Sequence, residues 1–118
     1  MSKQDELVQY YIVNADLGMS IGKTAAQVAH ASMLLALRDC KKEQFNEWYY
    51  NIMRKVILAG TEKDMNEYID MSDWMNGVIP IVDKGLTEIP VNSLTVIVFP
   101  ILSRREAQRL GLGRFKVL

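Results

Sequence analysis

The sequence is poor in the residues that most often carry special chemistry: of its 118 residues one is cysteine, one is histidine and three are proline. A lone cysteine, Cys40, excludes an intramolecular disulfide and points to a reducing compartment. With only Cys40 and His30 available, a zinc site is not expected, and no other cofactor is implied. One histidine would suffice for a Ser–His–Asp triad, but there is no Gly-x-Ser-x-Gly elbow to carry the nucleophile. No apolar run approaches the ~20 residues of a membrane span. The opening Met-Ser-Lys-Gln-Asp-Glu-Leu is polar and has no signal-peptide pattern, so a cytoplasmic chain without membrane contact is expected. Net charge is also lacking, since 14 Lys and Arg balance 14 Asp and Glu. That argues against broad, unselective binding to nucleic acid.

What is present suits one globular domain over residues 1–118. Hydrophobic residues make up 49% and charged residues 24%, the ordinary range for such a domain. Charge is unevenly spread: residues 103–118 carry Arg104, Arg105, Arg109, Arg114 and Lys116 against one acid, Glu106. A local basic patch is therefore possible.

Val8 to Val13 reads as a strand without clean alternation, as expected for burial on both faces. Ser20 is placed to cap a helix running to about Leu37, with Met33, Leu34, Leu35 and Leu37 filling its second half. Gln44 to Ile52 reads as a second helix and Lys55 to Ala59 as a buried strand. Thr61 caps a third helix with Glu62 and Asp64 in its first turn. Met65, Tyr68, Ile69 and Met75 form its stripe, and Gly77 its stop. Val78 to Val82 is a strand containing Pro80, which predicts a sheet edge or an irregularity. Thr95 to Phe99 is the fourth strand. Ser103 to Glu106 has capping-box spacing for a last short helix. The order β-α-α-β-α-β-β-α predicts a three-layer α/β/α sandwich with a mixed four-stranded sheet.

In such a sheet, ligands bind beyond the carboxyl ends of the strands. Asn14 to Lys23 follows the first strand, and Asp83 to Ile89 follows the third. Parallel neighbours would bring Lys23 and Asp83 together, a pair able to hold an anionic group and activate water. The plainer reading is structural, with Asp83 capping the Gly85 turn. Lys23, Gln27 and His30 share one helical face; a lone helical histidine is more often structural than catalytic. Gly22-Lys23-Thr24 matches the end of a P-loop, but the glycine required five residues earlier is Leu17.

The stretch Asp16-Leu-Gly-Met-Ser-Ile-Gly-Lys-Thr-Ala-Ala-Gln-Val-Ala-His-Ala31 resembles the signature of the second class of peptidyl-tRNA hydrolases, roughly D-L-x-M-x-x-G-K-x-A-A-Q-x-x-H-A. Asp83 to Ile89 resembles its D-x-G-x-T-x-I, and Ser93-Leu-Thr-Val its S-x-T-V. The resemblance covers nearly the whole chain. It implies metal-independent hydrolysis of the ester joining a peptide to the terminal ribose of tRNA, which recycles the tRNA. It also implies a homodimer. By matched position, Lys23 and Asp83 are central to catalysis, and Gln27, Thr87 and His30 are further active-site residues, His30 lying a turn deeper as support. Lys84, Ser93, Arg104 and Arg105 are candidates for holding the peptidyl-tRNA.

The sequence departs from the family where many relatives carry basic residues: Gly18 and Ile21 replace lysines, and Leu86 an arginine. Val91-Asn92 replaces a proline–glycine, a change that asparagine tolerates in a left-handed turn. Fewer phosphate contacts weaken tRNA binding. The basic C-terminal stretch either compensates or merely solvates the last helix. The alternative function is a non-catalytic module binding an RNA end or a protein. A third is a related hydrolase of smaller esters or amides.

Overall fold

The computed structural model describes residues 2–73, 75–84 and 88–118. Its centre is β1, Leu7–Asn14, buried from Val8 to Asn14. β1 pairs in parallel with β2, Lys55–Gly60, and antiparallel with β4, Ser93–Val98. β4 pairs antiparallel with β3, Ile79–Asp83, which forms one edge of the sheet. Pro80 lies in that edge strand, and the register shifts between Ile81 and Val82. Both features spare the sheet the donor that proline lacks.

The sheet has six strands, not the expected four. β5, Leu102–Ser103, pairs with the start of β1, and β6, Lys116–Val117, pairs with β2. Two residues are too few to show the alternation that marks a strand. The four longer strands keep the expected chain order, and the sheet is mixed.

Alternation along β1 feeds two apolar cores. Val8, Tyr10 and Ile12 join Met65, Tyr68 and Phe99. Tyr11 and Val13 join Ala31, Leu35, Phe45 and Trp48. Met65 and Tyr68 come from α3, Glu62–Asp70, whose Thr61 cap forms the expected box with Asp64. Phe45 and Trp48 come from α2, Glu43–Tyr49. α3 stops at Asp70, short of Gly77, and Met75 lies exposed beyond it. Ser103 caps α4, Arg104–Arg109, in a box with Glu106. At the end of β2, a Cβ on Gly60 would lie 2.7 Å from Ile12 Cγ2, so glycine permits the close approach to β1.

α1, Ile21–Asp39, is the longest helix. The Ser20 hydroxyl accepts the Lys23 N–H, as the sequence predicts. The buried face is the row Gln27, Ala31, Leu35 and Asp39, each four residues from the last. Of the four large apolar residues in the second half, only Leu35 is buried; Met33, Leu34 and Leu37 are exposed.

Candidate active site

β1 and β3 are each antiparallel to β4, so they run in the same direction and end on the same side of the sheet. They are not neighbours, because β4 lies between them. Past the end of β1, Asn14 fixes the turn. Its side chain accepts the Asp16 N–H and donates to the Leu94 carbonyl at 2.8 Å and to Glu62. Gly18, with φ of 57°, then reverses the chain into α1. This places Lys23 in the first turn of α1 beside Asp83, the last residue of β3. Lys23 Nζ lies 2.9 Å from Asp83 Oδ2, with side-chain exposures of only 11% and 9%. A pair so shielded interacts more strongly than one in water.

One turn along, Gln27 is buried beneath this pair and its Oε1 accepts from the Thr95 hydroxyl at 2.8 Å. Thr95 also lies 3.2 Å from the Ile81 carbonyl, and its single proton favours the nearer acceptor. The amide is thus held by its acceptor end, and Thr95 does not consume its donor end. Ser93 is directly opposite Asp83 in the β3–β4 register, with its hydroxyl donating to the Pro90 carbonyl at 2.6 Å. Asn92 adopts the left-handed conformation expected of it, with φ of 64°, and donates its N–H to the Asp83 carbonyl. Lys84 follows Asp83 and is exposed. Thr87 lies outside the described residues.

Two placements depart from expectation. His30 does not lie deeper than Gln27: it is exposed on the same flank of α1, about 10 Å along the axis from Lys23 at the helical rise. The buried row continues through Ala31 instead. Arg104 and Arg105 are not brought to this site. They donate to Glu6 at 2.7 Å and to Asp5 at 2.6 Å, respectively. They follow β5, which pairs with the start of β1; the strand rise puts that end ~20 Å from the Lys23 end.

Sequence reasoning gave no role to Thr95 or Glu88, although both lie within the matched stretches. A buried threonine within an otherwise apolar strand was the available signal for Thr95. Glu88 accepts the Ser20 N–H at 2.7 Å and its hydroxyl at 2.8 Å, tying the segment after β3 to the head of α1. These Ser20 donors, with the Lys23 ammonium nearby, hold its carboxyl below the usual glutamate value.

Among the described residues no group of three or more His, Cys, Asp and Glu gathers as metal ligands would. A hollow of about 810 Å³ along the other flank of α1 contains neither Lys23 nor Asp83. The chemistry rather than the volume marks the site: a carboxylate and an ammonium in contact, with a buried amide beneath, can activate water and stabilise an oxyanion.

The family described as Peptidyl-tRNA hydrolase PTH2 matches residues 7–112. The chain is similar to a peptidyl-tRNA hydrolase of Staphylothermus marinus, with 39% identity over 101 residues, covering 82% of this chain and 84% of the relative. It is likewise similar to one from Thermoplasma acidophilum, with 38% identity over 112 residues, covering 90% and 93%. A third, from Thermococcus onnurineus, is 32% identical over 93 residues, covering 75% and 79%.

Proposed function

The chain belongs to the PTH2 family of peptidyl-tRNA hydrolases, and from that premise we propose that Lys23 and Asp83 hydrolyse the ester between peptide and tRNA. The observation that carries this reading is the 2.9 Å contact between the two side chains, both largely withdrawn from water. The Asp83 carboxylate, set against the Lys23 ammonium, is the base. Asp83 takes a proton from water as the water oxygen bonds to the ester carbonyl carbon. Lys23 then stabilises the oxyanion that forms. Collapse breaks the bond from that carbon to the ribose oxygen, which receives the proton. The products are a peptide acid and a tRNA free for reuse. Gln27, held by Thr95, orients the ester through its amide. Thr87 and His30 are assigned supporting roles at the site by the family pattern, and Lys84 and Ser93 flank the path of the substrate.

The two cores packed on alternate sides of β1 support an α/β/α arrangement acting as one domain over residues 1–118. Exposed Met33, Leu34 and Leu37 on α1 are the surface assigned to a homodimer. A cytoplasmic location suits the lone cysteine, the substrate and the lack, among the described residues, of a helix able to cross a membrane.

The competing reading is a binding module for RNA ends, favoured by the missing charge at Gly18 and Ile21. Cleavage of a defined peptidyl-tRNA at several salt concentrations separates the two. Release of peptide by the wild-type chain, abolished by Asp83→Asn and Lys23→Ala, is expected. Binding without release would establish the module.

A further inference from the structure

Between β3 and β4 the register passes from Ile81 opposite Val96 to Val82 opposite Leu94, so Thr95 is the extra residue of a bulge. A bulge interrupts the ladder and re-aims a side chain. Here the re-aimed group is the buried Thr95 hydroxyl, which holds Gln27. On the other side of β4, pairing with β1 covers only Val96 to Val98, opposite Val13 to Tyr11. The peptide that joins Leu94 to Thr95 lies past the end of that ladder. The side chain of Asn14, the last residue of β1, makes the next tie, donating from Nδ2 to the Leu94 carbonyl at 2.8 Å.

Asn14 is only 1% exposed, and both ends of its amide are engaged. The second Nδ2 proton goes to Glu62 Oε1 at 3.1 Å, and Oδ1 accepts the Asp16 N–H at 3.0 Å. Asp16 Oδ2 in turn accepts the Glu62 N–H at 3.0 Å. Asn14, Glu62 and Asp16 therefore close a ring of hydrogen bonds. The amide fits one way only. Turned over, it would set its oxygen against the Leu94 carbonyl and its own N–H groups against the Asp16 N–H. One fixed side chain thus grips two branches of the site. Through Asp16 it holds the turn that delivers Lys23 into α1. Through Leu94 it holds the peptide plane from which Thr95 reaches Gln27.

We propose that Asn14 is a positioning residue of the hydrolytic site and acts through the β4 bulge. By holding the Leu94–Thr95 peptide it sets the Thr95 hydroxyl, and so the Gln27 amide, relative to Lys23. The inference rests on the hydrolase reading for the reaction that this geometry serves. Asn14 stands behind Thr95, which stands behind Gln27, so it acts on the ester only through them. A misplacement of about 1 Å at a reacting centre can cost a hundredfold in rate. Loss of the tie is therefore read in kcat rather than in KM.

Three replacements separate this role from a general loss of stability. Asn14→Ser keeps an oxygen for the Asp16 N–H, as in a serine turn, but is too short to reach Leu94. Glu62→Ala opens the ring and leaves the Leu94 tie in place. Ser103→Ala uncaps α4 at the far end of β1 and controls for stability alone. In steady-state cleavage of peptidyl-tRNA, Asn14→Ser should lower kcat about tenfold with little change in KM. Glu62→Ala and Ser103→Ala should keep kcat. In the 15N-labelled protein without substrate, the Gln27 side-chain amide signals should shift in Asn14→Ser and stay in place in the other two. Asn14→Leu, of similar volume and without a donor, should repeat both effects, and carries the test if the serine variant does not fold. Unchanged kcat in the Asn14 variants, unmoved Gln27 signals, or an equal loss of kcat in Ser103→Ala overturns the proposal. If the wild-type chain cleaves no peptidyl-tRNA while the Gln27 signals still move in Asn14→Ser, the tie stands and the hydrolase reading fails.

Discussion

Glu88 holds both the backbone N–H and the hydroxyl of Ser20, at 2.7 and 2.8 Å, and so joins the segment that follows Asp83 to the helix that carries Lys23. The ion pair depends on two elements far apart in sequence, and this carboxylate ties them at a second point. Because Glu88 is exposed, its loss should leave the melting temperature nearly unchanged. The cost should fall on geometry. Glu88→Ala is expected to lower kcat/KM about tenfold, since small misplacements of reacting groups are expensive. Glu88→Gln, which keeps an acceptor for the N–H, should recover part of it. Equal thermal stability with an activity loss in steady-state cleavage is the expected pattern.

The Lys23–Asp83 pair should show the opposite balance. Removing one side chain takes the counter-charge from a poorly hydrated group. Asp83→Asn or Lys23→Met should each destabilise the fold, by about 2–4 kcal/mol for a pair this shielded. The double replacement removes both charges and should restore much of that stability in urea unfolding. Activity should not return, and should stay at least about a hundredfold below wild type in all three. Recovery of both properties together would make the pair merely structural.

Thr95→Val tests how Gln27 is held. The substitution keeps shape but removes the proton donated to Gln27 Oε1. A buried carbonyl without a donor costs about 1–3 kcal/mol. The amide should also lose its fixed orientation, lowering kcat more than it raises KM. Thr95→Ser keeps the hydroxyl and should rescue kcat, while Thr95→Val combined with Gln27→Leu should rescue stability alone.

Much of this was legible locally. Ser20, Thr61 and Ser103 read as caps because the cap and the N–H that it accepts lie within one turn. Lys23 and Asp83 were legible as a pair because one follows the end of a strand and the other stands at the end of a strand on the same side of the sheet. The route was different, however: β4 separates their strands. His30 illustrates the limit of helical spacing. Residues three apart share a flank, but the buried row steps by four, so Ala31 is buried and His30 is not. Charge counting found the basic tail but not its partners. Glu6 binds both Arg54 and Arg104, and Asp5 binds Arg105, contacts set by the β1–β5 pairing that two residues could not announce. Gln9 gave no signal, because nothing in an otherwise apolar strand says that a buried amide will lack, among the described residues, a partner for its Nε2.

Asp39 should govern part of the acid stability. It is buried at the last turn of α1, where burial pushes its carboxyl up. Hydrogen bonds and charge from Arg38 and Lys42 outweigh that and hold it below the usual aspartate value. A carboxyl depressed by folding contributes stability above its unfolded pKa, about 3.9, and loses it as pH falls through the folded value. Asp39→Asn should therefore be about 1–3 kcal/mol less stable than wild type at pH 7. The gap should close below about pH 4, as urea unfolding across pH 2.5–7 would measure.

Ile21 offers the cleanest test of the missing tRNA charge. It sits on the first turn of α1, 91% exposed, two residues before Lys23. Replacing an exposed isoleucine with lysine removes no packing of consequence, so folding should be unaffected. The new ammonium stands on the same first turn of α1 as Lys23 but on a different flank, open to a phosphate of a tRNA body laid across the head of the helix. One added phosphate contact should steepen the dependence of log Kd on log salt by about 0.9 for duplex RNA, or about 0.7 for a single-stranded end. Ile21→Lys should accordingly lower KM at low salt by several-fold and leave kcat nearly unchanged, with the advantage fading as salt rises. Arg104→Ala, at the opposite end of β1 and already engaged by Glu6, should not alter the salt slope. If it does, the tRNA body extends along the sheet to the N-terminal ion pairs, and the basic tail supplies the grip that Gly18 and Ile21 lack.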